Sequence, residues 1–194
     1  AAWNQAWQSA SWHAQAEIEC TQQRWPEALD LLDRALRLNV DHLRARNLRA
    51  LVLRQLGRDN EATAQLSANL ALDPLDSWTQ HLLSRPITGD TQIRLDVALD
   101  YRRAGFHREA LAILQDAQPE PRSGTAPLVS YYRAHLCSLM DDKRAATAHL
   151  IAAAKASPDV VVTDAAQTAS AAPPPVYTDV TLKLGDAVKL KGFG

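Results

Sequence analysis

Apolar residues recur at intervals of three and four along most of the chain, the period of helices that bury one face. From Leu43 to Leu56 the set is Ala45, Leu48, Val52 and Leu56. From Gln92 to Ala104 it is Leu95, Ala98, Leu99 and Tyr101, and from Leu128 to Leu139 it is Tyr131, Tyr132, Ala134, Leu136 and Cys137. Near the start, Trp3, Trp7, Ala10, Ala14 and Ile18 form one stripe on a helix of roughly twenty residues. A further helix is expected within Leu75 to Leu83, ahead of a loop from Ser84 to Asp90 that holds Pro86 and Gly89. The helical pattern stops near Val160. Thr163 to Pro175 is small, polar and proline-bearing and reads as a linker. Beyond it, Val180, Leu182 and Leu184 alternate with polar residues, Gly185-Asp186 intervenes, and Val188 and Leu190 resume the alternation, which is a hairpin signal.

The helical stretches repeat. Segments beginning at Trp25, Arg58, Gly105 and Lys143 align on Ala28, Ala62, Ala110 and Ala146. These alanines are separated by 34, 48 and 36 residues, the middle interval being 34 with an insertion of 14. Five residues before each stands a turn residue: Gln23, Gly57, Gly105 or Asp141. Four residues after each stands Leu32, Leu66, Leu114 or Leu150. The glycines permit the left-handed residue that ends one helix and starts the next. The small alanine lets two helices approach closely, and the leucine one turn on shares its face. Pro74 and Pro158 stop the second helix of their units, with Val40 in that place in the first.

This unit resembles the tetratricopeptide repeat, a helix-turn-helix of 34 residues. Ala50, Leu53, Gly57, Ala62, Leu66 and Pro74 carry the resemblance in the second unit, and Ala98, Tyr101, Gly105, Ala110 and Leu114 in the third. Ala134, Cys137, Ala146, Leu150 and Pro158 carry it in the fourth, with Asp141 in the glycine place. The first unit has Trp12, Ala16, Ala28 and Leu32, but Glu19 where a large apolar residue is usual. The expected fold class is therefore all-α, a right-handed helical-repeat solenoid of about four helix pairs. Its units span 9–42, 43–76, 91–126 and 127–160, with an insertion at 77–90. A linker at 161–176 and a tail at 177–194 follow. A narrower resemblance, carried by ANLALDPLDSW, RLDVALDYRRAGFHREALAIL and PLVSYYRAHL, is to the C-terminal repeat region of large bacterial proteins. Those proteins bear an upstream mutarotase-like domain. That likeness implies an accessory role in carbohydrate metabolism, orienting or oligomerising a catalytic domain outside this segment.

Composition narrows the chemistry. Ala (34) and Leu (27) dominate while Gly is only 7, which favours helix. With 21 basic and 22 acidic residues the net charge is -1, so no basic field exists to hold nucleic acid or an anionic membrane, and neither is an expected partner. No run of apolar residues is long enough to span a bilayer. The first residue is Ala and the sole methionine is Met140, so the chain reads as a cleaved form or a piece of something longer. The two cysteines, Cys20 and Cys137, form no disulfide framework, which favours a cytoplasmic setting. Cys137 falls in the large-apolar place of its unit and is expected to pack. The six histidines show no metal spacing, there is no glycine-rich phosphate loop, and the carboxylate pairs Asp73/Asp76 and Asp141/Asp142 fall at turns. No catalytic residue, cofactor or metal is therefore expected.

One charge run stands apart. Arg44, Arg46, Arg49, Arg54 and Arg58 occupy fifteen residues without an acid. In the tetratricopeptide pattern the groove-lining places of this helix correspond to Arg44, Asn47, Leu51 and Arg54. Leu95, Leu99 and Arg102 of the third unit, Tyr131 and His135 of the fourth, and His13 of the first complete a candidate peptide-binding groove. The functional reading is capture of a protein or peptide, acidic in character, or of a neighbouring domain of the same polypeptide. The plainer reading is a solvated arginine face whose stems cover apolar neighbours. The tryptophan-rich start is expected in the first-helix core, the alternative being a docking surface for an upstream domain.

Overall fold

The computed structural model describes residues 2–117 and 125–156, and the expected linker and tail hairpin lie outside the described residues. The described residues are all-helical, without a strand, and their helices pack in adjacent pairs as in a helical-repeat solenoid. In order they are α1 (Ala2–Thr21), α2 (Trp25–Leu38), α3 (Leu43–Gln55), α4 (Asp59–Leu72), α5 (Ser77–Leu82), α6 (Thr91–Arg103), α7 (His107–Gln115), α8 (Thr125–Leu139) and α9 (Lys143–Ala156). The chain divides into two compact units, Ala1–Gln118 and Pro119–Gly194. In the first, α1 pairs with α2, α3 with α4, and α6 with α7; in the second, α8 pairs with α9.

Each pair is built by the same local chemistry. The residue five before each anchoring alanine is left-handed: Gln23 (φ 58°), Gly57 (φ 72°), Gly105 (φ 83°) and Asp141 (φ 60°). The next N–H reaches back five residues to close the helix end, Arg24 to Glu19 (3.0 Å), Arg58 to Leu53, Phe106 to Tyr101 and Asp142 to Cys137 (each 2.9 Å). The turn thus satisfies carbonyls the helix leaves open and sends the chain back along its own side. Ala28, Ala62 and Ala110 are wholly buried and Ala146 nearly so. Leu32, Leu66 and Leu114 share their burial, while Leu150 is half-buried.

The short α5 is begun by Asp76, whose carboxylate accepts from the Thr79 N–H (2.9 Å). It ends on a fifth turn of the same kind, with Ser84 at φ 59° and Arg85 N–H on the Gln80 carbonyl (2.9 Å). No return helix follows it. The chain runs without regular structure to Asp90, which caps α6 by accepting from the Ile93 N–H (3.0 Å). Within this first unit α2 packs on α3, α5 lies against α3, α4 and α6, and α1 touches α6. That last contact is close. Gly105 stands against Thr21, and the Trp25 and Phe106 rings lie 5.8 Å apart.

The first-helix stripe differs from expectation. Trp7 is 67% exposed and Ile18 54%, and Ala10 and Ala14 between them are exposed too. The buried face of α1 is Ser9, His13, Ala16 and Cys20. Small residues win here because α2 lies close: the Ser9 hydroxyl donates to the Ala35 carbonyl across the contact (3.0 Å). Trp12 is half-buried.

Candidate functional site

Two polar clusters occupy the first unit. The first joins α3, α4 and the start of α5. Asn47 is wholly buried, and its Nδ2 donates to Asp76 Oδ2 (2.6 Å). Its Oδ1 accepts from Asn69 Nδ2 (2.8 Å) and from the Thr79 hydroxyl (2.6 Å). Asn69, also wholly buried, accepts through Oδ1 from Arg46 Nε (2.6 Å) and Gln65 Nε2 (3.0 Å). A buried amide is stable only when its donors and acceptors are met. This network meets them and fixes α5 against the second pair.

The second cluster lies where α1, α3 and α6 converge. The His13 and His42 rings are 5.0 Å apart, and Glu17 Oε1 is 3.9 Å from His13 Nε2. Asp100, almost buried on α6, takes Arg103 at 3.0 Å and Arg44 at 3.4 Å. Burial pushes the His13 imidazole down to about 4, with His42, Arg44 and Arg103 adding repulsion. His42 is lowered by burial and by Arg44. Burial raises the carboxyls of Glu17 and Asp100 above their ordinary range, opposed by the neighbouring arginines. The cluster thus sets two imidazoles, held down by burial, beside two arginines and two acidic side chains where the three helices meet. Both thiols are buried, and burial drives Cys20 up to about 12 and Cys137 upward, which suits packing and not nucleophilic work. Among the described residues no three His, Cys, Asp or Glu side chains group so as to hold a metal ion. No helix among them is long and apolar enough to cross a membrane.

The packing of the first unit buries part of the expected groove. Asn47, Leu51 and Leu95 are buried and present almost no surface. Arg44 is half-exposed beside Asp100. Arg54 is half-buried and donates to the Leu82 carbonyl (2.8 Å). Leu99 and Arg102 are half-buried, and His13 is buried in the charged cluster. Tyr131 and His135 are exposed in the second unit. Each arginine of the run has a partner within the chain. Arg46 holds Asn69, Arg49 holds Asp33 (2.7 Å) and Gln65 (3.3 Å), and Arg58 grips both oxygens of Glu61 (2.6 and 2.7 Å). Sequence reasoning did not single out Asn69, Asp76 or Thr79 as a network. The available signal was polar Asn47 one turn before Ala50 and Leu51, and polar Asn69 one turn from both Leu66 and Leu72, each sharing a helix face with apolar residues.

The apolar surface is concentrated elsewhere. Leu38 and Leu72, which stand 34 residues apart at the ends of α2 and α4, are 37% and 44% exposed. Val40 and Leu75, in the loops that follow, are 63% and 82% exposed. The second unit exposes Leu128, Tyr131, Leu139 and Ile151.

No protein-family model matches the chain, and no curated protein matches it. Among solved structures the chain is similar to one titled "MamA RS-1 ArsTM double mutant", at 15% identity over 76% of this chain and 74% of that one, with a TM-score of 0.34.

Proposed function

We propose that this chain is a non-catalytic scaffold that holds a segment of another protein. The observation that carries this reading is the apolar row at the exits of α2 and α4: Leu38 and Leu72 stand uncovered at matching places in two successive pairs, with exposed Val40 and Leu75 in the loops that follow. Rigid pairs set on buried alanines repeat whatever their edges display, and a repeated apolar edge is a docking surface by construction. Arg44, Leu99 and Arg102 in the first unit, and Tyr131 and His135 in the second, keep part of their surface open and are secondary contacts on this reading. The chemistry of the row suits a partner with apolar side chains at intervals. The arginine run serves chiefly to brace helices.

The test is a pull-down from the native source with quantitative mass spectrometry, comparing the chain with its Val40→Glu/Leu75→Glu variant. Both positions are exposed, so circular dichroism of the variant should match the parent. Partners enriched on the parent and lost on the variant support the scaffold. An identical set on both removes the row from the argument.

A further inference from the structure

The face of α1 that points away from the core has an internal counterpart that shows what belongs on it. Ser11, Ala14 and Ile18 correspond, 34 residues on, to Ala45, Leu48 and Val52 of α3. Those three are wholly buried, because α2 of the preceding pair packs on α3. On α1 the same places are open, and Ile18 is 54% exposed. Beside them runs a groove of about 510 Å³ between α1 and α2, lined by Gln15, Glu19, Pro26, Glu27, Leu31 and neighbours. Its counterpart between α3 and α4 is crossed by α2, whose Asp33 accepts from Arg49 at the place of Gln15. The open face is thus shaped for a helix.

We infer that the helix seated there is α1 of a second copy of this chain, running antiparallel. Trp7, Ser11, Ala14 and Ile18 are spaced four, three and four apart, the interval of a helix–helix seam. Their order is large, small, small, large. Turned end for end, the seam fits itself: Trp7 meets the partner's Ile18, and Ser11 meets the partner's Ala14. Small residues at the centre let the two backbones approach, and the large ones close the ends. A two-fold contact requires such self-complementarity. Charge agrees. α1 contains no Lys or Arg, and the seam is flanked by neutral Gln8 and Gln15. At the groove rim Glu19 is paired with Arg24 and Asp30 with Arg34, which leaves Glu27 as the excess charge, and the antiparallel arrangement lays the partner's uncharged first half, with the positive end of its helix dipole, beside it.

Sedimentation equilibrium of the full chain, over about a thousandfold range of dilution, reads the association directly. The average mass should rise from 21.3 kDa toward twice that value as concentration increases. Ile18→Gln, at an exposed position that leaves the monomer intact, should weaken dimerisation at least about tenfold. Register is read by oxidative cross-linking. A mixture of the Ser11→Cys and Ala14→Cys proteins should form a mixed disulfide dimer more readily than either alone. A monomer at every concentration overturns the inference, as does a dimer indifferent to Ile18→Gln. Preferential cross-linking of Ser11→Cys with itself overturns the antiparallel seam. The Val40→Glu/Leu75→Glu variant should dimerise like the parent, so this result and that for the apolar row stand or fall separately.

Discussion

Two glycines occupy the same turn position but face different surroundings, and substituting each by alanine separates local strain from tertiary contact. At Gly57 the backbone is left-handed (φ 72°) and an added Cβ would meet nothing within 4 Å. The left-handed conformation costs an L-residue about 1–2 kcal/mol, partly offset by about 0.4–1 kcal/mol from the stiffer unfolded chain. Gly57→Ala should therefore destabilise by about 1 kcal/mol. At Gly105 (φ 83°) the same Cβ would stand 3.0 Å from Thr21 Cα, a backbone atom that cannot swing aside. Overpacking adds about 1–3 kcal/mol, so Gly105→Ala should lose about 2–4 kcal/mol in total. All five tryptophans lie in the first unit, so urea unfolding followed by tryptophan fluorescence reports that unit alone. The reverse change, Gln23→Gly, removes left-handed strain (φ 58°) and should stabilise by about 0.5–1 kcal/mol. Equal losses at Gly57 and Gly105 would show that the end of α1 does not press on the α6–α7 turn, and the account of that contact would fail.

Asn47→Leu keeps the side-chain volume but strips partners from Asp76, Asn69 and Thr79, and should destabilise the first unit by about 3 kcal/mol in the same urea assay. An unchanged midpoint would mean that the network is not buried as described. His13, held down to about 4, is neutral in the folded unit, so its contribution is whole above about pH 6.5 and is withdrawn as pH falls toward 4. Stability should drop by about 2–3 kcal/mol over that window, His42 acting in the same sense. Glu17 and Asp100, raised by burial, act oppositely as they take up protons at the acid end. His13→Gln should flatten the decline between pH 6.5 and 5, and an unaltered slope would relieve His13 of that role.

What the amino-acid order discloses is the local part of the fold. The anchoring alanines and the turn residues five before them could be found without coordinates, because a turn's geometry depends on a few successive residues. Even Gln23 and Asp141, which lack the freedom of glycine, adopt the left-handed backbone their position requires. The lone helix α5 falls within the expected Leu75 to Leu83, ahead of the proline-bearing loop. The α1 stripe misled because periodicity gives a helix an apolar side without saying whether anything covers it. In α3 the equivalent positions are buried by α2, whereas among the described residues no helix covers them on α1. The groove residues were placed by repeat register alone. Register puts Asn47 and Leu95 at the front of their helices, but contacts among α1, α3, α5 and α6 bury them. Those contacts join residues far apart in the chain, and no window of sequence contains them.

The touch between α1 and α6 alters how the first unit stores its free energy. An open stack of helix pairs behaves as a one-dimensional chain: each neighbour contributes a separate increment, and trimming an end removes one increment and leaves the rest standing. Here the first pair also leans on the third, through Thr21 against Gly105 and Trp25 against Phe106. Shortening the array from its leading end would uncover the α6–α7 corner as well as α3. The three pairs should therefore gain and lose order together, and a piece trimmed from the leading end should lose more than one increment of stability.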